Sequence, residues 1–302
     1  MENNLSDKNE NKDRKGRGVS HSKIILMGEH SVVYGYPAIA IPLKNIRMEC
    51  IVERATVPFV HNKKDTLSTA IYTALNYLNR KNENIKYKVI SDIPPKRGMG
   101  SSAAVSIAAI RGVLDYFNTE VDNLTLEKLV NEAEIIAHNT PSGLDAKTCL
   151  SDSAIKFIKN KGFKNLEMNL GAYLLIADTG IHGHTRDAIM NIKNMGGRAL
   201  PMLEKLGKLT EETEKFIEEK DVINIGKNMI SAHGELKKLG VSIEKSDVLV
   251  KTAIDERAYG AKMSGGGLGG CIIALMESKE KAEMTGKKLM EKGAVNIWIE
   301  AL

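Results

Sequence analysis

The spacing of apolar residues along the chain changes several times, and each change predicts a secondary-structure element. Alternating apolar and polar residues are typical of half-buried strands, whereas apolar residues three or four positions apart are typical of helices. In the first half these patterns predict strands at 22–27, 38–52 and 85–93. They also predict helices at 65–78, 101–117 and 124–138. Thr125 is the predicted cap of the last of these helices.

The second half has a different pattern, in which long charged amphipathic helices are predicted across 185–240. Two fully apolar segments predict buried strands at 172–177 and 271–276, the second directly after a glycine-rich loop at 263–270. The chain is completed by a predicted helix and a short strand, at 278–292 and 295–300. Strands and helices are mixed without strict alternation, which predicts an α+β fold.

Residues 1–18 differ from the rest because they are almost wholly polar. They contain five basic residues, four acidic residues and one leucine. Such a segment cannot repay the entropy of ordering, so we expect a disordered polar tail. A basic arm for nucleic acid is the alternative, but its interleaved opposite charges argue against it. The folded part is expected in two halves, an N-terminal domain over 19–165 and a C-terminal domain over 166–302.

The composition is that of an ordinary globular protein, with 42% hydrophobic and 27% charged residues and a net charge of +5. The charge is modest and dispersed and aromatic residues make up only 5%, so we expect no nucleic-acid partner. The longest apolar runs have six residues, against about 20 for a membrane-spanning helix, so we expect no membrane partner. The N-terminus lacks a secretory signal, and three widely spaced cysteines form no disulfide framework. We therefore predict a cytoplasmic location.

The segment PPKRGMGSSAA, residues 94–104, joins a predicted strand to a predicted helix. Glycines let the backbone approach a ligand closely, and the first amides of a helix have no partner within the helix. Together with the helix dipole, these amides form an anion site suited to phosphate. The serine hydroxyls could cap the helix or bind a magnesium ion that bridges phosphates. The alternative is a capped helix that simply follows a loop.

Two common phosphate-binding loops do not match this segment. A Walker loop ends in Gly-Lys followed by Ser or Thr, and that ending is absent. Gly98, Gly100 and Ala103 have the G-x-G-x-x-A spacing of dinucleotide-binding folds. Those folds also need an acidic residue about 20 positions later, at the end of a second parallel strand. Asp115 falls inside the predicted helix instead, so we reject a dinucleotide-binding fold.

Two further segments carry polar residues in suggestive positions. Lys23 begins an apolar strand that leads Gly28, Glu29 and His30 into a turn, although an ordinary hairpin is the simpler interpretation of this segment alone. Further along, a turn of Pro-Ser-Gly presents Asp145, which could be a catalytic base, a metal ligand or a helix cap.

Glu134 and His138 lie four positions apart on one face of the helix that precedes this turn. No third ligand is near them in sequence, so we do not expect zinc.

The segment GAKMSGGGLGGC, residues 260–271, contains six glycines, which indicate close approach to a ligand or to another loop. His182 and His184 are expected to be polar loop residues rather than metal ligands.

The three motifs in this order, a lysine strand ending in GEH, then PPKRGMGSSA, then KMSGGGLGG, resemble the three signatures of the GHMP kinase superfamily. GEHSVVYGYPAIA and HNTPSGLDAKT are most similar to the mevalonate kinase family, and the compact length resembles its bacterial and archaeal members. The resemblance covers the chain from about residue 22 to 298. It implies an N-terminal domain of the ribosomal-protein-S5-like type and a ferredoxin-like C-terminal domain, with the active site between them.

The resemblance also implies an activity and roles for individual residues. The expected reaction is ATP-dependent phosphorylation of the primary hydroxyl of (R)-mevalonate to 5-phosphomevalonate, with Mg²⁺ as cofactor and a homodimer as the assembly. The implied catalytic residues are Asp145 and Lys23, and the implied magnesium ligands are Ser102 and Glu134. The implied substrate contacts are Glu29, His30 and Thr185. The loop around the ATP phosphates is implied to consist of Gly98, Met99, Gly100, Ser101 and Ser102.

Two alternative functions remain open at this point. Another GHMP kinase, for phosphomevalonate or homoserine, is disfavoured by the GEH motif and by the PSGLD segment. A non-catalytic relative that only binds nucleotide is disfavoured because Lys23, Ser102, Glu134 and Asp145 are all present.

Overall fold

The computed structural model describes residues 14–138 and 143–302, with the backbone alone for Ala137 and His138. The strands are β1 (Lys15–Met27), β2 (Pro37–Arg54), β3 (Ile85–Ser91), β4 (Ala154–Ile158), β5 (Gly162–Leu166), β6 (Tyr173–Asp178), β7 (Gly260–Ser264), β8 (Cys271–Met276) and β9 (Asn296–Ala301). The helices are α1 (Thr66–Tyr77), α2 (Ser101–Tyr116), α3 (Asn123–His138), α4 (Leu144–Leu150), α5 (Thr185–Met195), α6 (Leu200–Glu218), α7 (Val222–Lys238), α8 (Glu244–Asp255) and α9 (Lys279–Glu291). Short 3₁₀ helices lie at Ser31–Tyr34 and Gly196–Ala199. This mixture of helices and sheets confirms the α+β prediction.

The strands form two sheets. The first has the strand order β1-β2-β4-β5, with β3 also paired to β2. The second has the order β7-β8-β6-β9, and all of its neighbouring strands are antiparallel. Leu175 in β6 lies opposite Ala274 of β8 on one side and Ile299 of β9 on the other. The strand β6 is therefore interior to its sheet, as the apolar segment 172–177 predicts.

The chain divides into two compact units. The first unit comprises the described residues before Lys23 together with Lys44–Ile93 and Gly100–Leu150, and the second comprises Lys23–Leu43, Pro94–Met99 and Ser151–Leu302. This division differs from the predicted boundary at residue 165. Residues 151–165 belong to the second unit, and so do two segments from the N-terminal half. The two motifs on those segments, at 23–43 and 94–99, could not be assigned to this unit from their sequence positions.

The core of the first unit is built from helices, with α1 packed on α2 and α3. Small side chains at the contacting positions let these helices approach closely, and Ala70, Ala74, Ala104 and Ala108 are completely buried. In the second unit, α8 and α9 cover a sheet, and the buried core between them includes Leu175 and Ile272 of the sheet and Leu289 of α9. Burying each such leucine stabilises the fold by roughly 1.5–3 kcal/mol. No helix in the described part of the chain is both long and apolar enough to cross a bilayer.

The predicted disordered tail is wrong for its last residues, because β1 begins at Lys15. Gly16 and Gly18 lie directly on α2, where a Cβ added to Gly18 would stand 2.0 Å from the carbonyl oxygen of Ala108. Arg14 donates to the carbonyl oxygen of Tyr116 at 2.7 Å. Backbone pairing and glycine contacts order this segment without the apolar side chains that the prediction required. Residues 1–13 of the predicted tail lie outside the described residues.

Two smaller predictions also need correction. The cap of α3 is Asp122, whose Oδ1 accepts from the amide of Thr125 at 2.6 Å, so Thr125 is the capped residue rather than the cap. The predicted glycine loop at 263–270 is shorter, because Met263 and Ser264 belong to β7. All three cysteines are free, as their spacing predicts, and the structure shows that they are buried.

Candidate active site

The loop before α2 has the backbone geometry that its glycines predict. Gly98 and Gly100 have φ angles of 76° and 71°, in the left-handed region that favours glycine. Gly100 is the N-cap residue of α2 and supplies no side-chain cap. Ser101 and Ser102 are partly exposed in the first turn of this 16-residue helix. The first turn of α2 can therefore present amides and hydroxyls to an anion.

The structure brings Ser102 and Glu134 together within the first unit. The Ser102 hydroxyl donates to Oε1 of Glu134 at 3.0 Å, and the Ser106 hydroxyl donates to the same oxygen at 3.0 Å. Glu134 is 6% exposed, on α3, so α2 and α3 together fix this carboxylate. The described residues contain no group of three or more histidine, cysteine, aspartate or glutamate side chains able to hold a metal ion. An oxygen pair such as Ser102 and Glu134 still suits Mg²⁺, which commonly takes one or two carboxylates and completes its shell with phosphates and water.

Asp145 lies in the first turn of the short helix α4, also in the first unit. The residue before the helix, Gly143, has φ 77°, and its carbonyl oxygen accepts from the amide of Lys147 at 2.9 Å. Gly143 is therefore the cap position, and Asp145 is partly exposed inside the helix. Of the three interpretations from sequence, the helix cap is the one that this geometry does not favour. His138, the partner of Glu134 in the same motif, has a side chain outside the described residues.

In the second unit, Lys23 is hydrogen-bonded to the start of the loop that precedes α2. Its side chain is buried in β1, with 2% exposure, and Nζ donates to the carbonyl oxygen of Gly98 at 3.3 Å. The Lys23 amide also donates to the carbonyl oxygen of Met99, at 3.2 Å. The first and second motifs, about 75 residues apart in sequence, are thus joined by two hydrogen bonds.

The turn after β1 carries the other two residues of the first motif. Glu29 is buried and its Oε1 accepts from Nζ of Lys262, a lysine of β7 whose side chain is completely buried. Burial is the largest influence on both groups, and it raises the pKa of Glu29 and lowers the pKa of Lys262. His30 follows with φ 61°, and burial lowers the pKa of its ring to about 4.

Lys262 is the residue that the sequence analysis missed. It stands in the quoted glycine-rich motif, but its partner is 233 positions away. Every residue of β7 is buried, so the strand has no alternating pattern that would mark a charged position. A lysine within an otherwise apolar and small-residue strand was the available signal.

The glycine-rich loop packs against other loops of the second unit. A Cβ added to Gly265 would stand 3.0 Å from Cα of Gly98, and one added to Gly269 would stand 2.4 Å from the carbonyl oxygen of His182. Thr185, the exposed first residue of α5, meets the same loop, because a Cβ on Gly266 would stand 1.9 Å from its hydroxyl oxygen. Close loop contacts therefore account for several of these glycines, and they place Thr185 beside the third motif.

Comparisons with known proteins decide the family. A model of the GHMP kinases N terminal domain matches residues 68–152, and a model of the GHMP kinases C terminal domain matches residues 213–293. A mevalonate kinase from Pyrococcus furiosus is 31% identical to this chain, with 89% of this chain and 91% of that protein covered. The chain belongs to the mevalonate kinase family of GHMP kinases.

Solved structures of mevalonate kinases share the fold. The L. major mevalonate kinase in complex with R-mevalonate superposes with a TM-score of 0.84, covers 94% of both chains and is 24% identical. The Methanococcus jannaschii mevalonate kinase has the same TM-score, at 24% identity, with 96% of this chain and 99% of that chain covered. The mevalonate kinase fold therefore extends over nearly the whole chain.

Proposed function

We propose that this chain transfers the γ-phosphate of ATP to the primary hydroxyl of (R)-mevalonate and releases 5-phosphomevalonate, in the mevalonate route to isoprenoids. The observation that carries the proposal is the 31% identity to a mevalonate kinase over 89% of the chain. A structure of the same fold contains R-mevalonate. The local geometry of each motif supports the same reaction.

The phosphate loop would receive the triphosphate of ATP. Phosphoryl transfer is catalysed chiefly by positioning and by neutralising charge on the phosphate oxygens. The segment Gly98–Ser102 offers glycines with left-handed φ angles and the uncapped first turn of α2. Backbone amides in such a turn can surround a phosphate without the bulk of side chains.

Ser102 and Glu134 are the proposed ligands of Mg²⁺. Their two oxygen atoms lie 3.0 Å apart, so a single ion can contact both, and oxygen ligands are those that Mg²⁺ prefers. When bound, the ion would neutralise charge on the β- and γ-phosphates of ATP. The hydroxyl of Ser106 donates to the same carboxylate oxygen and so fixes the orientation of Glu134.

Asp145 and Lys23 are the proposed catalytic residues. An alcohol is a poor nucleophile, and it must lose its proton as the bond to phosphorus forms. A carboxylate such as Asp145 can accept that proton, and an ammonium such as Lys23 lowers the pKa of a nearby hydroxyl. The hydrogen bond from Lys23 Nζ to Gly98 anchors this ammonium at the beginning of the phosphate loop.

Glu29, His30 and Thr185 are the proposed contacts of mevalonate. All three belong to the second unit and lie beside the glycine-rich loop: its backbone influences the pKa of Glu29 and of His30, and Thr185 packs closely on it. A homodimer and a cytoplasmic location remain predictions from the sequence.

A coupled assay of ADP release with Mg-ATP tests the proposed function. The purified full chain is assayed with mevalonate, phosphomevalonate, homoserine and galactose in parallel. We expect turnover with mevalonate and none above background with the other three alcohols. Turnover with homoserine or phosphomevalonate instead would assign a different GHMP kinase activity. ATP binding without turnover on any member of the panel would mean a binding protein that retains the kinase fold.

A further inference from the structure

Lys262 and Glu29 form an unusually well-buried ion pair within the second unit. Both side chains have 0% exposure, which holds for no other ion pair among the described residues. Nζ of Lys262 donates to Oε1 of Glu29 and thereby joins β7 to the turn after β1. No step of the proposed reaction uses Lys262.

Stability alone is a weak explanation for this pair. Removing two charges from water costs several kcal/mol per ion, and well-packed apolar residues of similar size often stabilise a protein as much or more. Lys262 lies opposite Ile273 of β8, a completely buried apolar residue, so an apolar side chain would suit this position of the strand. Stability therefore does not explain why a charged residue occupies position 262.

A second observation concerns the atoms next to the pair. Oε2 of Glu29 and Nε2 of His30 are both buried, and neither has a hydrogen-bond partner within the described residues. Buried polar atoms without a partner are rare in native proteins, and here two belong to consecutive residues. These two residues are also the proposed substrate contacts.

The backbone of the glycine-rich loop lies beside both side chains. The backbone of Gly265 beside the carboxylate lowers the pKa of Glu29, and the backbone of Gly266 beside the ring acts as an acceptor that raises the pKa of His30. Because Nε2 has no partner, the donating nitrogen is assigned as Nδ1. Burial, with a contribution from the charge of Lys262, lowers the pKa of His30 to about 4, so the ring is neutral at pH 7. Nε2 is then a hydrogen-bond acceptor.

We propose that Lys262 is a positioning residue for Glu29 and His30. Its ammonium holds Oε1 and keeps Glu29 ionised in a buried site, which leaves Oε2 and Nε2 of His30 as two acceptors for an alcohol substrate. This inference rests on the proposed function, because it assumes that Glu29 and His30 contact mevalonate. Without Lys262, burial would favour the protonated form of Glu29. A carboxylate oxygen that accepts a hydrogen bond would then become a hydroxyl that donates one.

Steady-state kinetics of three variants test this proposal. Lys262→Met removes the ammonium, and the double variant Glu29→Gln/Lys262→Met removes both charges so that neither is left buried alone. Lys156→Met is the matched control, since Lys156 forms a largely buried ion pair with Glu214 elsewhere in the same unit. The KM for mevalonate, the KM for ATP, kcat and the melting temperature are measured for each.

We expect Lys262→Met to raise the KM for mevalonate at least tenfold, with the KM for ATP within twofold of the original value. The double variant should melt close to the original chain and still have the raised KM for mevalonate. Lys156→Met should change neither KM. This separation of affinity from stability is a result that a purely structural ion pair would not give.

Three results would overturn the inference. The first is an unchanged KM for mevalonate in Lys262→Met, and the second is a double variant that recovers the original KM. If Lys262→Met does not fold, Lys262→Gln is measured in its place, and failure of both variants to fold would assign the pair to the stability of the fold. An original chain with no turnover on mevalonate would instead overturn the proposed function, and the inference with it.

Discussion

At the scale of single residues, the proposed chemistry depends on charges that the fold holds in different ways. Lys23 and Glu134 are almost completely buried, and each is anchored by groups from another motif or helix. Asp145 is partly exposed in the first turn of α4. Buried, hydrogen-bonded charges are fixed in place before a substrate arrives, whereas an exposed carboxylate can exchange a proton readily. This difference suits Lys23 to electrostatic stabilisation and Asp145 to proton transfer.

Replacing Asp145 tests its proposed role directly. Asp145→Asn keeps the shape of the side chain and removes its charge, and Asp145→Ala removes the whole carboxylate. We expect both to lower kcat by about 10³-fold or more while ATP still binds, because the alcohol loses its proton acceptor. Single-turnover kinetics and an ATP titration measure the two effects separately. Asp255→Asn, in an exposed ion pair with Lys251, is the control and should retain full activity.

Near-normal turnover in either Asp145 variant would contradict the assignment of this aspartate. Lys23→Met should also lose most of its kcat, since the ammonium is proposed to act at the reacting hydroxyl. A change in Lys23→Met that is confined to the affinity for ATP would place Lys23 with the phosphates instead.

At the scale of elements, the contact between β1 and α2 connects the start of the described chain to the helix that follows the proposed phosphate loop. Gly18 lies so close to α2 that an added Cβ would be 2.0 Å from a backbone oxygen and 2.3 Å from the amide nitrogen of Gly112. Backbone atoms cannot rotate away as a side chain can, so any larger residue must separate the strand from the helix. The position of α2 therefore depends on glycine in β1.

We expect Gly18→Ala to lower the free energy of unfolding by about 1–3 kcal/mol, as overpacking of a tight contact usually does. Chemical denaturation measures this loss. Gly234→Ala is the matched control, because its added Cβ would meet no atom within 4 Å and alanine favours the helix α7. Equal stability of the two variants would show that β1 does not pack on α2 as described.

Elements with a strong periodic pattern could be predicted from the sequence, and elements defined by their contacts could not. The helices α1, α2 and α3 have clear apolar spacing and lie within a few residues of their predicted positions. The strands β4 and β5 and the helix α4 were not predicted. They are only five to seven residues long, which is too short for a period to be recognised.

At the scale of the whole molecule, the three motifs and their order could be predicted from sequence, but their mutual contacts could not. Each motif has local signals, such as glycines before a helix. The ion pair of Lys262 with Glu29 and the hydrogen bond of Lys23 to Gly98 join segments that only the tertiary fold brings together. The positions of these residues along the sequence carry no information about either contact. The buried lysine could therefore be recognised only in the folded chain.

The response of stability to pH is a property of the whole chain, because it depends on the difference in bound protons between the folded and unfolded states. The pKa of His30 is lowered by burial from 6.5 in its ordinary environment to about 4 in the folded chain. Between these values the unfolded chain binds a proton at His30 and the folded chain does not. The contribution of the neutral His30 ring to the free energy of unfolding is therefore complete above pH 6.5 and is lost as the pH falls towards 4.

We expect His30→Gln to reduce this acid sensitivity by up to about 3 kcal/mol, since each unit of pKa shift corresponds to about 1.4 kcal/mol. Urea unfolding of the original chain and the variant at pH 7 and pH 4.5 measures the difference. His184→Gln, at an exposed histidine of the α5 N-terminus, is the control and should follow the original chain. The buried histidine His233 also has a lowered pKa, so some acid sensitivity should persist in His30→Gln. Parallel losses in the original chain and in His30→Gln would contradict a neutral, buried ring, and with it the acceptor at Nε2 on which the proposed alcohol site depends.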